Sequence, residues 1–422
     1  MPKPEYRPAG PARPLVMICA ATYWHATTML DHHLARELAR HAEVIYLEPP
    51  TSFLTRWRNP AAGEAFRHPE RERVETSITV VRPRVNPLME RRVGKALALA
   101  LTRRAMRRAV GGSGFTGAGS RPVHAVVLMS LNPLFGVLKE RFRVFYASDD
   151  LAAGAGLMGI HDPALPVRAV QLPRQADVVA AVSPPLVERL RAEGIKALLI
   201  PNGVDVAHFA RTAITEPAAD LAALGSRVVG FVGHLGDRID VDLVAAVAER
   251  DCAVLLVGPR QRTATGDRLD RLLSRPNVHW VGPRPYSELP SVLAAADVWM
   301  LPYGDSAFNR ASFPLKLLEY LAAGRRVVAT DLPAVRWLDT DLVQVARTPE
   351  DFAAAVQAAL DDPLTAAESA GRREFASAHG WPRRIRTLTD RIALTSPTGT
   401  SPTGISPAGI SPAPAAREGS SR

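Results

Sequence analysis

Short apolar runs and helix-spaced apolar positions take turns along most of this chain. The run "PLVMICA" leads into "LDHHLARELARHA" (30–42), whose apolar residues recur at helical spacing, and that leads into "VIYLE". Further on, "AVVLMS", "RVFYAS" and "DVVAAVS" each precede a helix-like or loop segment. Runs that are apolar throughout suit strands buried on both faces, and their alternation with helices predicts βαβ units on a parallel sheet. The pattern restarts at Arg227, where "RVVGFVG", "AVLLVG", "VHWVG", "VWMLP" and "RRVVAT" predict a second sheet of the same kind.

Between the two series stands Asn202-Gly203, a turn signal, followed by an acidic, Ala-rich and weakly periodic stretch. The chain therefore divides into a flexible start (1–13), a first Rossmann-like domain (14–204), a linker (205–224) and a second Rossmann-like domain (225–393). From 394 to 422 it carries a Ser-Pro-x-Gly-x repeat, which has nothing to pack and predicts disorder. In open α/β sheets ligands bind beyond the carboxyl ends of the strands, so the segments after the strands are where chemistry is sought.

One such segment is "SFPLKLLEYLAAGRRVVAT". It reads as a helix with Ser312 as N-cap, Pro314 in the first turn and Gly324 as the terminating residue. Leu315, Leu318 and Ala322 share a core face, while Lys316, Glu319 and Tyr320 share another. Unpaired amides and the helix dipole disfavour a cation in a first turn, so Lys316 is either solvated at slight cost or aimed at an anion. A phosphate there would meet free amides, a positive dipole and an ammonium together. Glu319 can accept two hydrogen bonds from a vicinal diol, and a nucleoside diphosphate supplies both groups. The competing reading is a solvated i,i+3 ion pair worth about a few tenths of a kcal/mol. A second segment, "GHLGDRID", repeats the theme: Gly233 and Gly236 allow close backbone approach, and Arg238 begins the next helix, unless this is a tight turn with a surface arginine.

Composition adds bounds. A chain of 422 residues with 47% hydrophobic and 22% charged residues suits two globular domains. Cys19 and Cys252 each sit in a strand-like run, which argues against a disulfide framework and fits a reducing cytoplasm. No apolar run approaches the roughly 20 residues needed to cross a bilayer, and the run from Leu15 reads as a buried first strand rather than a signal-peptide core. The net charge of +10 points weakly to an anionic partner.

With "RVVGFVGHLGDRID", "NVHWVGPRPYSELPSVLAAADVWMLPY" and "FPLKLLEYLAAGRRVVATDLP", and with "ADVVAAVSPPLVERLRAEGIKALLIPNGVD" and "HHLARELARHAEVIYLEPP" in the first half, the chain resembles the group 1 (family 4) glycosyltransferases of GT-B fold. The branch it is similar to includes teichuronic-acid and capsule-type enzymes. The resemblance runs from about residue 15 to 390. It implies two Rossmann-like domains facing a cleft, a final helix near 381–393 crossing back to the first domain, and a nucleotide-sugar donor bound in the second domain.

The positions matching Arg238 and Lys316 would hold the diphosphate and offset the charge on the leaving group, with no metal and no cofactor required, and Glu319 would bind the ribose. Donor binding would also involve Gly233, Gly236, Gly258, Arg284, Ser312 and Leu315. One departure stands out: the family's two motif glutamates lie eight positions apart, and the earlier position here is Ala311. That residue usually touches the donor sugar. Asn309 and Ser312 are the neighbours that would substitute for it.

For the acceptor, Trp24, His25, His32 and His33 follow the first strand, where they would either stack on a sugar and handle a hydroxyl proton or serve as packing. Asp149 and Asp150 end another strand, as a general base in an inverting reaction or as a helix-capping pair. A retaining reaction, which the family implies, needs no such base. His161 is a further candidate. In the helix-like stretch 91–110, the like-charged pairs Arg103/Arg107 and Arg104/Arg108 would suit an anionic membrane or a lipid-linked pyrophosphate, or remain solvated. No aromatic residue lies among them for base stacking, which disfavours nucleic acid. The resulting expectation is retaining, metal-independent glycosyl transfer onto an envelope or exported-glycan acceptor, in the cytoplasm or peripherally on the inner face of the plasma membrane. A nucleotide-sugar epimerase and a binding protein without catalysis are the alternatives.

Overall fold

The computed structural model describes residues 13–55, 59–86, 92–111, 121–156, 162–261 and 266–394. His161 and the repeat from 395 onward lie outside the described residues. The first sheet comprises β1 (Leu15–Cys19), β2 (Glu43–Leu47), β3 (Arg71–Glu75), β4 (Ile78–Val81), β5 (Ala125–Leu128), β6 (Phe142–Ala147), β7 (Val178–Ala181) and β8 (Leu198–Leu199), in spatial order β3-β4-β2-β1-β5-β6-β7-β8. All pairs are parallel except β3–β4, whose bulged antiparallel hairpin closes one edge. β1 is fully buried, as its unbroken apolar run requires. The Arg71–Glu75 strand escapes a hydrophobic search because its residues are largely exposed on this edge.

The second sheet comprises β9 (Val228–Val232), β10 (Ala253–Val257), β11 (Val278–Trp280), β12 (Val298–Leu301), β13 (Arg326–Thr330) and β14 (Val343–Ala346), all parallel, in order β11-β10-β9-β12-β13-β14. Strand order reverses between β1 and β5 in the first sheet and between β9 and β12 in the second. Connections diverge to opposite faces at these switch points and leave a crevice beyond the strand ends. Both crevices open into one cleft between the domains.

The helices that matter for the site are α1 (Leu30–Ala39), α2 (Arg92–Val110), α3 (Pro184–Ala192), α4 (Val206–Ala210), α5 (Ala307–Ala311), α6 (Leu315–Ala322), α7 (Ala366–Ser377) and α8 (Trp381–Arg391). The stretch 205–224 holds α4 and a second short helix, Ala219–Ala222, with Phe209 and Leu221 buried against the core. The final helix α8 packs against α1 of the first domain, and the backbone N–H of Val204 donates to His379 O at 3.1 Å. His124 Nε2 contacts the carbonyl of Ile392 at 2.5 Å, so the chain's last described turn is fastened to the first sheet. Cys19 and Cys252 are both free and buried.

Candidate active site

The position of α6 is set by packing beneath it. Gly230 in β9 lies under Trp299, where a Cβ would come within 2.4 Å of the indole. Beside it, the Tyr320 hydroxyl accepts from the Val232 N–H at 2.9 Å, which pins α6 against the end of β9. Tyr320 is therefore fully buried and does not share a polar face with Lys316. Nor does Ser312 cap α6: the N-cap is Pro314, in extended conformation and without a side-chain bond, while Ser312 ends α5. Leu315, expected on the core face, lines the cleft. The helical spacing was sound, but α6 is buried nearly all round between the sheet and α7, so its faces do not sort by polarity. Gly324 adopts φ +76° and terminates α6 as expected, with Arg325 N–H donating to Tyr320 O at 3.0 Å.

Three cations of the second domain, Arg238, Lys316 and Arg284, line the cleft, which has a volume of about 750 Å³. Arg238 is oriented before any ligand arrives. Its Nε donates to Asn309 Oδ1 and its Nη2 to Ser312 Oγ, both at 2.9 Å. Its guanidinium lies 4.7 Å from the Tyr303 ring centre and 5.0 Å from that of Phe308. Asn309 is completely buried and donates to the carbonyls of Arg238 and Gly304. Asn309 and Ser312 are thus committed to Arg238, which accounts for their place beside Ala311 without giving them the missing glutamate's role. Ala311 itself is buried, and its carbonyl accepts from Ser183 Oγ at the start of α3 across the domain boundary.

Lys316 Nζ donates to Glu319 Oε2 at 2.6 Å. This pair is not solvated: the side chains are only 18% and 5% exposed, and of the two only Lys316 lines the cleft. Glu319 is the more buried member of the pair.

The glycines make room for backbone. Gly258 has φ +139°, and a Cβ there would lie 1.9 Å from Gly233 O; at Gly236 it would meet Gln261 Oε1 at 2.0 Å. Gly233 and Gly258 line the cleft, with Arg284 further along its wall. Arg284 is ion-paired with Asp220 and lies 3.9 Å from Glu288, so its charge is partly answered within the protein. Sequence reading missed His234, Tyr286 and the two aromatics that flank Arg238. Tyr286 stacks on His208 with ring centres 4.3 Å apart, and its buried hydroxyl has no hydrogen-bond partner among the described residues.

On the first domain, Asp149 and Asp150 separate. Asp150 is buried, accepts from Ala153 N–H at 2.8 Å and pairs with Arg189, which makes it a turn-capping residue. Asp149 is half-buried and lines the cleft, and burial raises its carboxyl from 3.8 to about 6 although Arg238 pulls the other way. Trp24 packs on Tyr46 and His32 rather than facing the cleft, and His32 is itself buried between Asp31 and the Trp24 carbonyl. His33 is also buried, stacked on Trp381 of α8 at 4.9 Å, and burial followed by Arg36 depresses its imidazole to about 3. It is a domain-junction residue. His25 does reach the cleft.

Residues 226–362 match the model of the family described as glycosyl transferases group 1. The chain is similar to a putative teichuronic acid biosynthesis glycosyltransferase, TuaH, of Bacillus subtilis (32% identity over 210 residues, 48% of this chain and 52% of that one). It is also similar to a phosphatidyl-myo-inositol mannosyltransferase of Mycolicibacterium smegmatis (29% over 205 residues, 46% and 50%). It spans about half the length of the curated relatives it matches. Among solved structures it superposes on sucrose-phosphate synthase of Thermosynechococcus elongatus with TM-score 0.69 and 17% identity, over 90% of this chain and 98% of that one. It likewise superposes on Anabaena HepE in complex with UDP and glucose, with TM-score 0.64 and 14% identity over 90% and 99%. At these identities the structural likeness speaks for the fold alone, and the matched segment contains the glycine turn, Arg238, Lys316 and Glu319. The segment 226–362 is thus similar to the group 1 glycosyltransferases, and the chain has the GT-B fold.

Proposed function

We propose that this protein transfers a sugar from a nucleoside-diphosphate sugar, bound in the second domain, to an acceptor held against the first. The observation that carries this reading is the preset Arg238, fixed by Asn309 and Ser312 on the cleft wall that also presents Lys316. Breaking the sugar–oxygen bond places negative charge on the departing diphosphate. Two cations already in position, with the Gly233 and Gly258 backbone beside them, would stabilise that charge without reorganising as it develops. These side chains supply the charge for a metal-independent departure. Among the described residues Asp149 is the one first-domain carboxylate lining the cleft, and a retaining reaction would not need it as base.

The names of the curated relatives support transfer over epimerisation, and those of TuaH and the inositol-lipid enzyme support an envelope acceptor. A membrane-proximal acceptor also suits α2, whose exposed side carries Val93 and Leu97 followed by Arg104, Arg107 and Arg108. Arg103 leaves that set, since its Nη2 donates to Pro133 O at 2.8 Å. Among the described residues no helix is long and apolar enough to cross a membrane.

Product analysis tests the reading. Transfer or slow hydrolysis would release nucleoside diphosphate from a donor, whereas an epimerase would leave the nucleotide sugar intact with an altered sugar. A protein that binds nucleotide and does neither would be the binding-only alternative motivated by Ala311.

A further inference from the structure

At the rim of the cleft, on the first domain, three side chains from separate segments converge. His25 comes from the loop after β1, His68 from just beyond the helix Pro60–Arg67, and Glu72 from β3. His25 Nε2 lies 3.1 Å from Glu72 Oε2, and His68 Nδ1 lies 3.6 Å from the same oxygen. One ligating atom from each lies within 4.8 Å of the others. We propose that His25, His68 and Glu72 form a binding site for a divalent transition metal of the zinc class.

The distances suit such an ion. Zinc sits about 2.0–2.1 Å from nitrogen and oxygen ligands, so tetrahedral ligand atoms are about 3.3 Å apart. Two of the separations already fall close to this value, and modest rotation of an imidazole brings in the third. The two rings are stacked with centres 3.8 Å apart and 11° between their planes. Each nitrogen lone pair lies in its ring plane, so binding one ion would turn one ring out of this stack.

The surroundings fit as well. Glu64 Oε1 lies 3.5 Å from His68 Nε2, on the far side of the ring from Glu72. A carboxylate on the second nitrogen is the usual way a histidine ligand is oriented and made more basic. Glu72 also meets Arg82 Nη2 at 2.7 Å, which on its own would oppose a cation. Arg82, however, is buried and shared with Glu48, whose Oε2 is 3.3 Å from its Nε. One guanidinium is thus shared between two carboxylates, and Glu64 is itself paired with Arg67 at 2.8 Å.

Three protein ligands leave coordination positions open. His25 also lines the cleft, which puts the cluster beside the space against the first domain. The site is separate from Arg238 and Lys316, and the inference does not depend on the glycosyl-transfer reading.

The test is zinc titration of the full chain, stripped with a chelator, against a chromophoric competitor. Cobalt(II) absorption would report the coordination geometry. The expected result is one equivalent bound with sub-micromolar affinity. His25→Gln and His68→Gln should each weaken binding by about 10–100-fold and Glu64→Gln by about 10-fold, while His41→Gln leaves it unchanged. His25 is exposed on a loop, so its variant keeps the fold, and circular dichroism of each variant checks this. Absence of such an equivalent, or binding that survives both His25→Gln and His68→Gln, would overturn the proposal and leave the cluster a salt-linked pair of stacked imidazoles.

Discussion

Replacing Lys316 by alanine does two things that the structure allows to be separated. It removes a cation from the cleft, and it leaves the Glu319 carboxylate, 5% exposed, without the ammonium 2.6 Å away. Losing one preorganised donor to a developing oxyanion costs about 2.7–4 kcal/mol, or about 10²–10³ in turnover. Orphaning one partner of a buried ion pair costs about 3–5 kcal/mol of stability. Lys316 is 18% exposed, so water can enter beside Glu319 and the lower end of that range applies. The double variant Lys316→Ala/Glu319→Gln removes both charges and should recover most of the lost stability, because no carboxylate is then stranded. It should recover none of the turnover. Urea denaturation of wild type and both variants gives the first quantity, and diphosphate release at saturating donor gives the second. If turnover rises together with stability in the double variant, Lys316 acts through the fold alone and its proposed role toward the leaving group is wrong.

Gly258→Ala would require φ +139° of a residue with a Cβ that meets Gly233 O at 1.9 Å, so it should cost at least about 3 kcal/mol in thermal or urea unfolding; an unchanged melting temperature would mean that this turn is not close-packed. Asp149 has a folded-state value near 6 against an ordinary 3.8, so between these values the folded chain binds more protons than the unfolded one. Stability attributable to this group therefore falls as pH rises through that window, and Asp149→Asn should raise the melting temperature at pH 8 but have little effect near pH 4. Arg104→Gln, Arg107→Gln and Arg108→Gln together should reduce sedimentation with anionic vesicles, whereas Arg103→Gln alone should not; equal effects would remove α2 from the proposed membrane face.

Much of the fold was legible because parallel strands buried on both faces are written as apolar runs, and β1, β5, β6, β7, β9, β10, β12 and β13 all carry one. The β3–β4 hairpin was not, because "RERVE" alternates charges with one valine on an exposed sheet edge. For the site, the glycine turn, Arg238 and Lys316 announced themselves by lying just past strand ends, where unpaired amides and cations combine. What remained hidden was everything that depends on contacts distant in sequence. The bonds of Asn309 and Ser312 to Arg238 span more than 70 residues, and His33 meets Trp381 only because α8 returns to the first domain. Spacing likewise could not separate Asp149 from Asp150, whose roles diverge because Arg189 reaches only the second. Trp24 and His33 looked like sugar-facing residues, but burial, which one sequence does not display, turned both inward.

The most direct test of the account is nucleoside-diphosphate release from UDP-, GDP-, dTDP- and ADP-sugars by wild type and Lys316→Ala, with and without a lipid extract as acceptor source. The account predicts that one donor is turned over, faster with acceptor, and that the variant loses this turnover while its circular dichroism is unchanged. Nucleotide binding by the wild type with no release from any donor, even with acceptor present, would contradict it.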